Sequence, residues 1–104
     1  MIKHIFVGTL VPDAEEGDVD KLISRWRALA DAIPGVRELA AGRNVAAADQ
    51  RYSVGLVAEF EDMTACERYL EHPAHRAVSA ELSSRLIDPK SRAVVQFEVG
   101  RSTE

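Results

Sequence analysis

A single cysteine, Cys66, occurs among the 104 residues. No disulfide can form within the chain, and no CxxC pair exists for zinc, thiol exchange or an iron–sulfur cluster. A reducing compartment follows, and we expect the cytoplasm. Basic clusters are missing as well. The 13 lysines and arginines are outnumbered by 17 acidic residues, leaving a formal charge of −4, so nothing matches the electrostatic footprint of a nucleic-acid phosphate backbone. No apolar run approaches the roughly 20 residues that span a bilayer. Met1-Ile2-Lys3-His4 enters a strand-like run without the regions of a signal peptide. We therefore expect neither nucleic-acid nor membrane partners.

What is present is globular in composition, with 46% hydrophobic and 29% charged residues. A chain of this length forms one domain with little core to spare, which a partner subunit would supplement. We read residues 1–100 as one domain and 101–104 as a polar tail. Residues 3–11 are β-branched and aromatic and end at Pro12-Asp13, predicting a first strand. Both of its faces are apolar, with His4, Phe6, Gly8 and Leu10 on one and Ile5, Val7, Thr9 and Val11 on the other. Val19, Leu22, Ile23, Trp26, Leu29, Ala30 and Ile33 recur at intervals of three and four, one stripe on a helix. Asp13 with Glu16 resembles a capping box for that helix, and Pro34-Gly35 ends it.

Residues 36–45 predict a weak second strand and 46–51 a loop. Tyr52, Val54, Leu56, Ala58 and Phe60 alternate with Ser53, Gly55, Val57 and Glu59 in a third strand, hairpin-paired with the second. Asp62 is placed to cap a helix from residue 63 or 64. Pro73 opens another, with Val78, Leu82 and Leu86 as its apolar stripe. Asp88-Pro89-Lys90 breaks the chain before a last strand, in which Ala93, Val95, Phe97 and Val99 alternate with Arg92, Val94, Gln96 and Glu98. Strand, helix, strand, strand, helix pair, strand is the order of the split βαβ, ferredoxin-like α+β fold: a four-stranded antiparallel sheet with helices on one face. The helices leave the other face bare although the first strand is apolar on both sides. We infer a homodimer whose two sheets face each other.

Chemistry concentrates in Tyr69-Leu70-Glu71-His72-Pro73-Ala74-His75, where a phenol and two imidazoles gather at a break between helices. Each has a plainer explanation. A helical tyrosine ordinarily buries its ring, and His72 can satisfy the end of its helix. His72, His75 and His4 also suggest a three-histidine metal site, against which Pro73 disturbs the one-face geometry of the i, i+3 spacing; we expect no metal. Cys66 and Trp26 read as core, and Glu59, Glu61 and Asp62 as a strand end plus a cap.

Met1-Ile2-Lys3-His4-Ile5, Ile33-Pro34-Gly35-Val36, Gly42-Arg43-Asn44 and His72-Pro73-Ala74-His75 together resemble the stress-responsive dimeric α/β-barrel (Dabb) family over residues 1–99. The resemblance implies a ferredoxin-like protomer and a barrel built from two packed sheets. One plant member of the family cyclises a linear tetraketide by an aldol condensation that keeps its carboxylate. Its active-site positions fall on His4, Tyr69 and His75. An enolate reaction needs a base near neutral pKa and a donor to the oxyanion. His75 then serves as base, Tyr69 as its orienter or as oxyanion donor, and His4 as holder of a carboxylate or carbonyl, with no cofactor. The competing reading is a non-catalytic stress-linked binding or assembly protein in which the same residues form a core network. A cofactor-free monooxygenase shares the fold but has no supporting pattern here. An open cavity with unpaired polar groups favours the enzyme, and a filled core the alternative.

Overall fold

The computed structural model describes residues 1–100, and the tail at 101–104 lies outside the described residues. Strand β1 (Ile2–Leu10) alternates buried and half-buried residues, with Ile2, His4, Phe6 and Gly8 on the buried side. It occupies the interior of a four-stranded antiparallel sheet of order β2-β3-β1-β4. Helices cover one face, as expected for the ferredoxin-like arrangement.

Helix α1 (Glu16–Ala32) buries Val19, Leu22, Ile23, Trp26 and Leu29 on that face. The Trp26 ring meets Phe6 of β1 edge-on, with centroids 5.7 Å apart. Burying each of the larger side chains of this stripe contributes about 1.5–3 kcal/mol, and this anchors α1 to the sheet. The expected capping box does not form. After β1 the chain makes a turn closed by Ala14 N–H donating to the Val11 carbonyl, 3.1 Å. That turn uses up residues 11–14, so the helix starts behind Glu15, which caps it without a side-chain hydrogen bond. Glu16 and Asp18 still place negative charge in the first turn, where the helix dipole favours it. The helix ends before Gly35, whose φ of +96° only glycine adopts cheaply.

Strands β2 (Val36–Arg43) and β3 (Val54–Phe60) form the expected hairpin, each two residues shorter at its loop end than the sequence suggests. The cause is Asn44. Its side-chain amide donates to the carbonyls of Asp49 and Tyr52, at 2.9 and 2.7 Å, and its oxygen accepts from Ala46 N–H at 2.7 Å. Backbone groups near the strand ends are thereby committed to an ordered loop.

Asp62 caps α2 (Met63–Glu71), accepting from Ala65 N–H at 2.9 Å. Pro73 opens α3 (Pro73–Val78), as its missing N–H and fixed φ favour. The chain then widens into a π-helical turn, Ser79–Ser83, before a short α4 (Ser84–Leu86). Val78, Leu82 and Leu86 are buried throughout. The last strand, β4 (Ile87–Glu98), begins five residues earlier than predicted. Pro89 is tolerated because β4 is an edge strand and needs no ladder bond on its open side. The irregularity is taken up as a register shift opposite Gly8 and Leu10.

Candidate functional site

Three elements bring together the residues singled out from the sequence. His4 projects from β1 toward the helices and is 4% exposed. Tyr69, on the last turn of α2, is almost completely buried. His75, half-buried, lies in the first turn of α3, where His72 and Pro73 fix the direction of the chain. The Tyr69 ring lies between the two imidazoles, 4.8 Å from His75 and 6.0 Å from His4 between centroids, with Phe60 packed against it at 5.1 Å. All three line a cavity of about 100 Å³ between sheet and helices, with Trp26 and Leu56 in its wall.

The polar atoms of this cavity differ in how they are satisfied. The Gln96 amide nitrogen donates to His4 Nδ1 at 2.8 Å. An amide nitrogen only donates, so the neutral His4 ring carries its proton on Nε2 and is itself a donor there. His75 Nδ1 is buried without a hydrogen-bond partner among the described residues. A buried polar atom left unpaired costs about 1–3 kcal/mol, so this position is an expensive one to hold empty-handed. No hydrogen bond joins the Tyr69 hydroxyl to His75; the two rings meet at a tilt of 57°.

Burial sets the protonation states. It pulls His4 below the ordinary imidazole value, and the charge of His75 adds to the effect. His75 is lowered by burial too, partly offset by the Leu70 carbonyl on its side. The Tyr69 phenol is pushed up to about 12, first by burial and then by the neighbouring Cys66. At neutral pH the cavity therefore holds two neutral imidazoles and one intact phenol: proton acceptors and proton donors, with no charge on any of the three.

His72 stands apart from this group. Its Nδ1 accepts from Ala74 N–H at 3.0 Å and caps α3. It therefore serves the start of the next helix rather than the carbonyls of its own, which corrects the direction of the capping expected from sequence. No group of three or more His, Cys, Asp or Glu side chains is placed to hold a metal ion among the described residues. Cys66 is fully buried, and burial raises its thiol pKa, as befits a packing residue. Glu59 faces Lys3 at 3.8 Å and Asp62 caps α2, both structural.

Three wall residues, Ser79, Ser83 and Arg92, were not singled out from the sequence, nor was Gln96, which lies behind the wall as the partner of His4. The signal for two of them was present. Arg92, Val94 and Gln96 alternate along β4, and their register partners Gly8, Phe6 and His4 all lie on the helix side of β1. The serines were hidden, because their placement depends on the π-helical turn. A larger hollow of about 650 Å³ opens on the opposite face of the sheet, bounded by Ile5, Val7, Ala40 and Val57 and by the loop after β2. It lies across the sheet from the imidazoles.

A ferredoxin-like sheet backed by helices, with a polar cavity between the layers, is thus the class the fold and the site define. The chain belongs to the stress responsive A/B barrel domain (Dabb) family, whose model matches residues 2–101. No curated protein matches it by sequence. Among solved structures, a dimeric ferredoxin-like protein of unknown function from Thermobifida fusca is 28% identical over 94% of this chain and 90% of its own, with a TM-score of 0.80. A protein from Arabidopsis thaliana is 19% identical over 97% of both chains, with a TM-score of 0.82. The hydroxynitrile lyase of Passiflora edulis is 13% identical over 97% of this chain and 94% of its own, also at 0.82. No helix among the described residues is long and apolar enough to cross a membrane.

Proposed function

We propose that this protein carries out cofactor-free acid/base chemistry on a small organic molecule, of the aldol or related enolate kind, in the cavity between sheet and helices. The observation that carries the reading is the uncharged imidazole of His75 on the cavity wall, its ring centroid 4.8 Å from that of the protonated phenol of Tyr69. The His75 imidazole, which burial keeps neutral despite the Leu70 carbonyl beside it, can take a proton from carbon adjacent to a carbonyl. The oxygen that gains charge then needs donors, and the Tyr69 hydroxyl and His4 Nε2–H are available for it. Gln96 acts through His4 as a positioning residue by fixing its tautomer. The Passiflora edulis protein, a lyase on the same scaffold, supports an enzyme reading of the fold. The active unit is a homodimer whose sheets pack through their helix-free faces.

The cavity of about 100 Å³ supports a second reading, a non-catalytic binding protein. It is smaller than the ~300 Å³ at which ligand sites usually begin, so a protomer encloses only the reacting end of a molecule. The two readings separate on deuterium exchange. In D2O, the wild-type protein is expected to exchange the α-hydrogens of small β-dicarbonyl compounds faster than buffer, followed by NMR. His75→Ala should lower the protein-dependent rate by about 10²–10⁴-fold while the dimer stays folded. An unchanged rate in the variant would remove His75 from the chemistry, and saturable binding without exchange would establish the second reading.

A further inference from the structure

The charge on the cavity wall is one-sided. His4, Tyr69 and His75 are uncharged, Ser79 and Ser83 are neutral, and no aspartate or glutamate lines the cavity. Arg92 does line it, projecting from β4 on the helix side opposite Gly8. A guanidinium is charged at every accessible pH. Arg25, Arg43, Arg51 and Arg85 are each matched with a carboxylate, whereas Arg92, like Arg27, Arg37, Arg68 and Arg76, forms no ion pair among the described residues; of these five only Arg92 lines this cavity. Its position is nonetheless held: the guanidinium carbon stands over the Phe6 ring, 5.1 Å from the centroid. Stacking occupies one face of the planar group and leaves its in-plane N–H donors, the ones that match a carboxylate, unengaged.

The π-helical turn adds to the same wall. Ser83 is 5% exposed, and it lines the cavity together with Ser79 one turn earlier. π-turns recur at functional sites because the widened turn re-aims side chains. An anchored cation without a carboxylate partner and two serine hydroxyls thus share one cavity wall that carries no negative group of its own.

Building on the reading that this cavity receives a small organic ligand, we propose that Arg92, assisted by Ser83, is its anion-recognition site. The ligand class is a small organic carboxylate, held by its carboxylate at Arg92 with its carbon skeleton directed inward to the imidazoles.

The experiment is an NMR titration of the full chain with benzoate and with its uncharged isostere benzamide, observing the His4 and His75 ring signals. Benzoate should bind more tightly than benzamide. Arg92→Gln should weaken benzoate by about tenfold, the smaller end of what a charge-assisted pair contributes at an open site, and leave benzamide unchanged. Arg92→Lys should recover part of the loss, since lysine keeps the charge without the planar fork. If benzoate moves the histidine signals equally in wild type and Arg92→Gln, the cavity binds ligand but the assignment of Arg92 is overturned. If neither probe moves them, the ligand-binding reading of the cavity falls with it. Circular dichroism of the variants checks that this exposed edge-strand position has not altered the fold.

Discussion

At the scale of residues, the protein keeps two imidazoles uncharged at some expense. Burial lowers His4 and His75 from the ordinary 6.5, so both fold as neutral rings. The unfolded chain, by contrast, takes up protons at these positions as pH falls through about 6.5. Their contribution to stability is therefore complete above that value. It is lost as pH drops toward the folded-state values, because there the unfolded state binds more protons. Each ring adds at most about 1.4 kcal/mol per pH unit to the slope. The urea midpoint of the wild type should accordingly fall between pH 7 and pH 5, and a His4→Gln, His75→Gln double variant should show a shallower decline. Equal slopes in the two proteins would mean that neither ring is desolvated. The same uncharged state suits a general base, since a ring that is protonated at working pH cannot accept a proton.

At the scale of elements, capping separates what the chain does from what its sequence pattern resembles. Asp62 accepts from Ala65 N–H, so Asp62→Ala should cost about 1 kcal/mol in urea unfolding. Asp13 lies in the turn before α1 and caps nothing, so Asp13→Ala should stay within about 0.5 kcal/mol. Comparable losses would restore the capping box at Asp13. The order of elements was legible because each carries a strong period: the three-and-four stripe of α1, the alternation of β3, the proline that opens α3. Boundaries failed where a local hydrogen bond overrode the pattern, at the turn Val11–Ala14 and at Asn44, and where an edge strand accommodated Pro89. The π-helical turn left one faint trace. Val78, Leu82 and Leu86 are spaced strictly by four, and four residues overshoot a full α-helical turn by about 40°. A stripe that remains on one face at that spacing needs a wider turn somewhere along it. For the site, the meeting of His4, Tyr69 and His75 followed from resemblance rather than spacing, since only the sheet and the α2–α3 break bring residue 4 to residues 69 and 75.

At the scale of the whole molecule, the proposed homodimer rests on the helix-free face of the sheet. Ile5, Val7 and Val57 line its centre, and Val95 and Phe97 on β4 are 52% and 46% exposed in the protomer. Along β1, Lys3 and Thr9 bracket this apolar strip, and Lys3 is tied to Glu59. A contiguous apolar face framed by polar residues is what a partner surface looks like, and a protomer of this size has little other core to draw on. A second copy placing the same strip against it would bury Val95 near the middle of the contact, where an unpaired carboxylate has no water to stabilise it. Val95→Asp is therefore expected to yield a monomer by sedimentation, with its circular dichroism retained, because the substitution lies on the face away from the helix-packed core. Urea unfolding of the wild type should move to higher midpoints as protein concentration rises, and that dependence should vanish in the variant. A Val95→Asp protein that still sediments as a dimer would place the interface elsewhere and leave the apolar face without its partner. If the monomer also loses ligand binding at the imidazole cavity, assembly and site are coupled through β4, which carries Val95 on one face and Arg92 and Gln96 on the other.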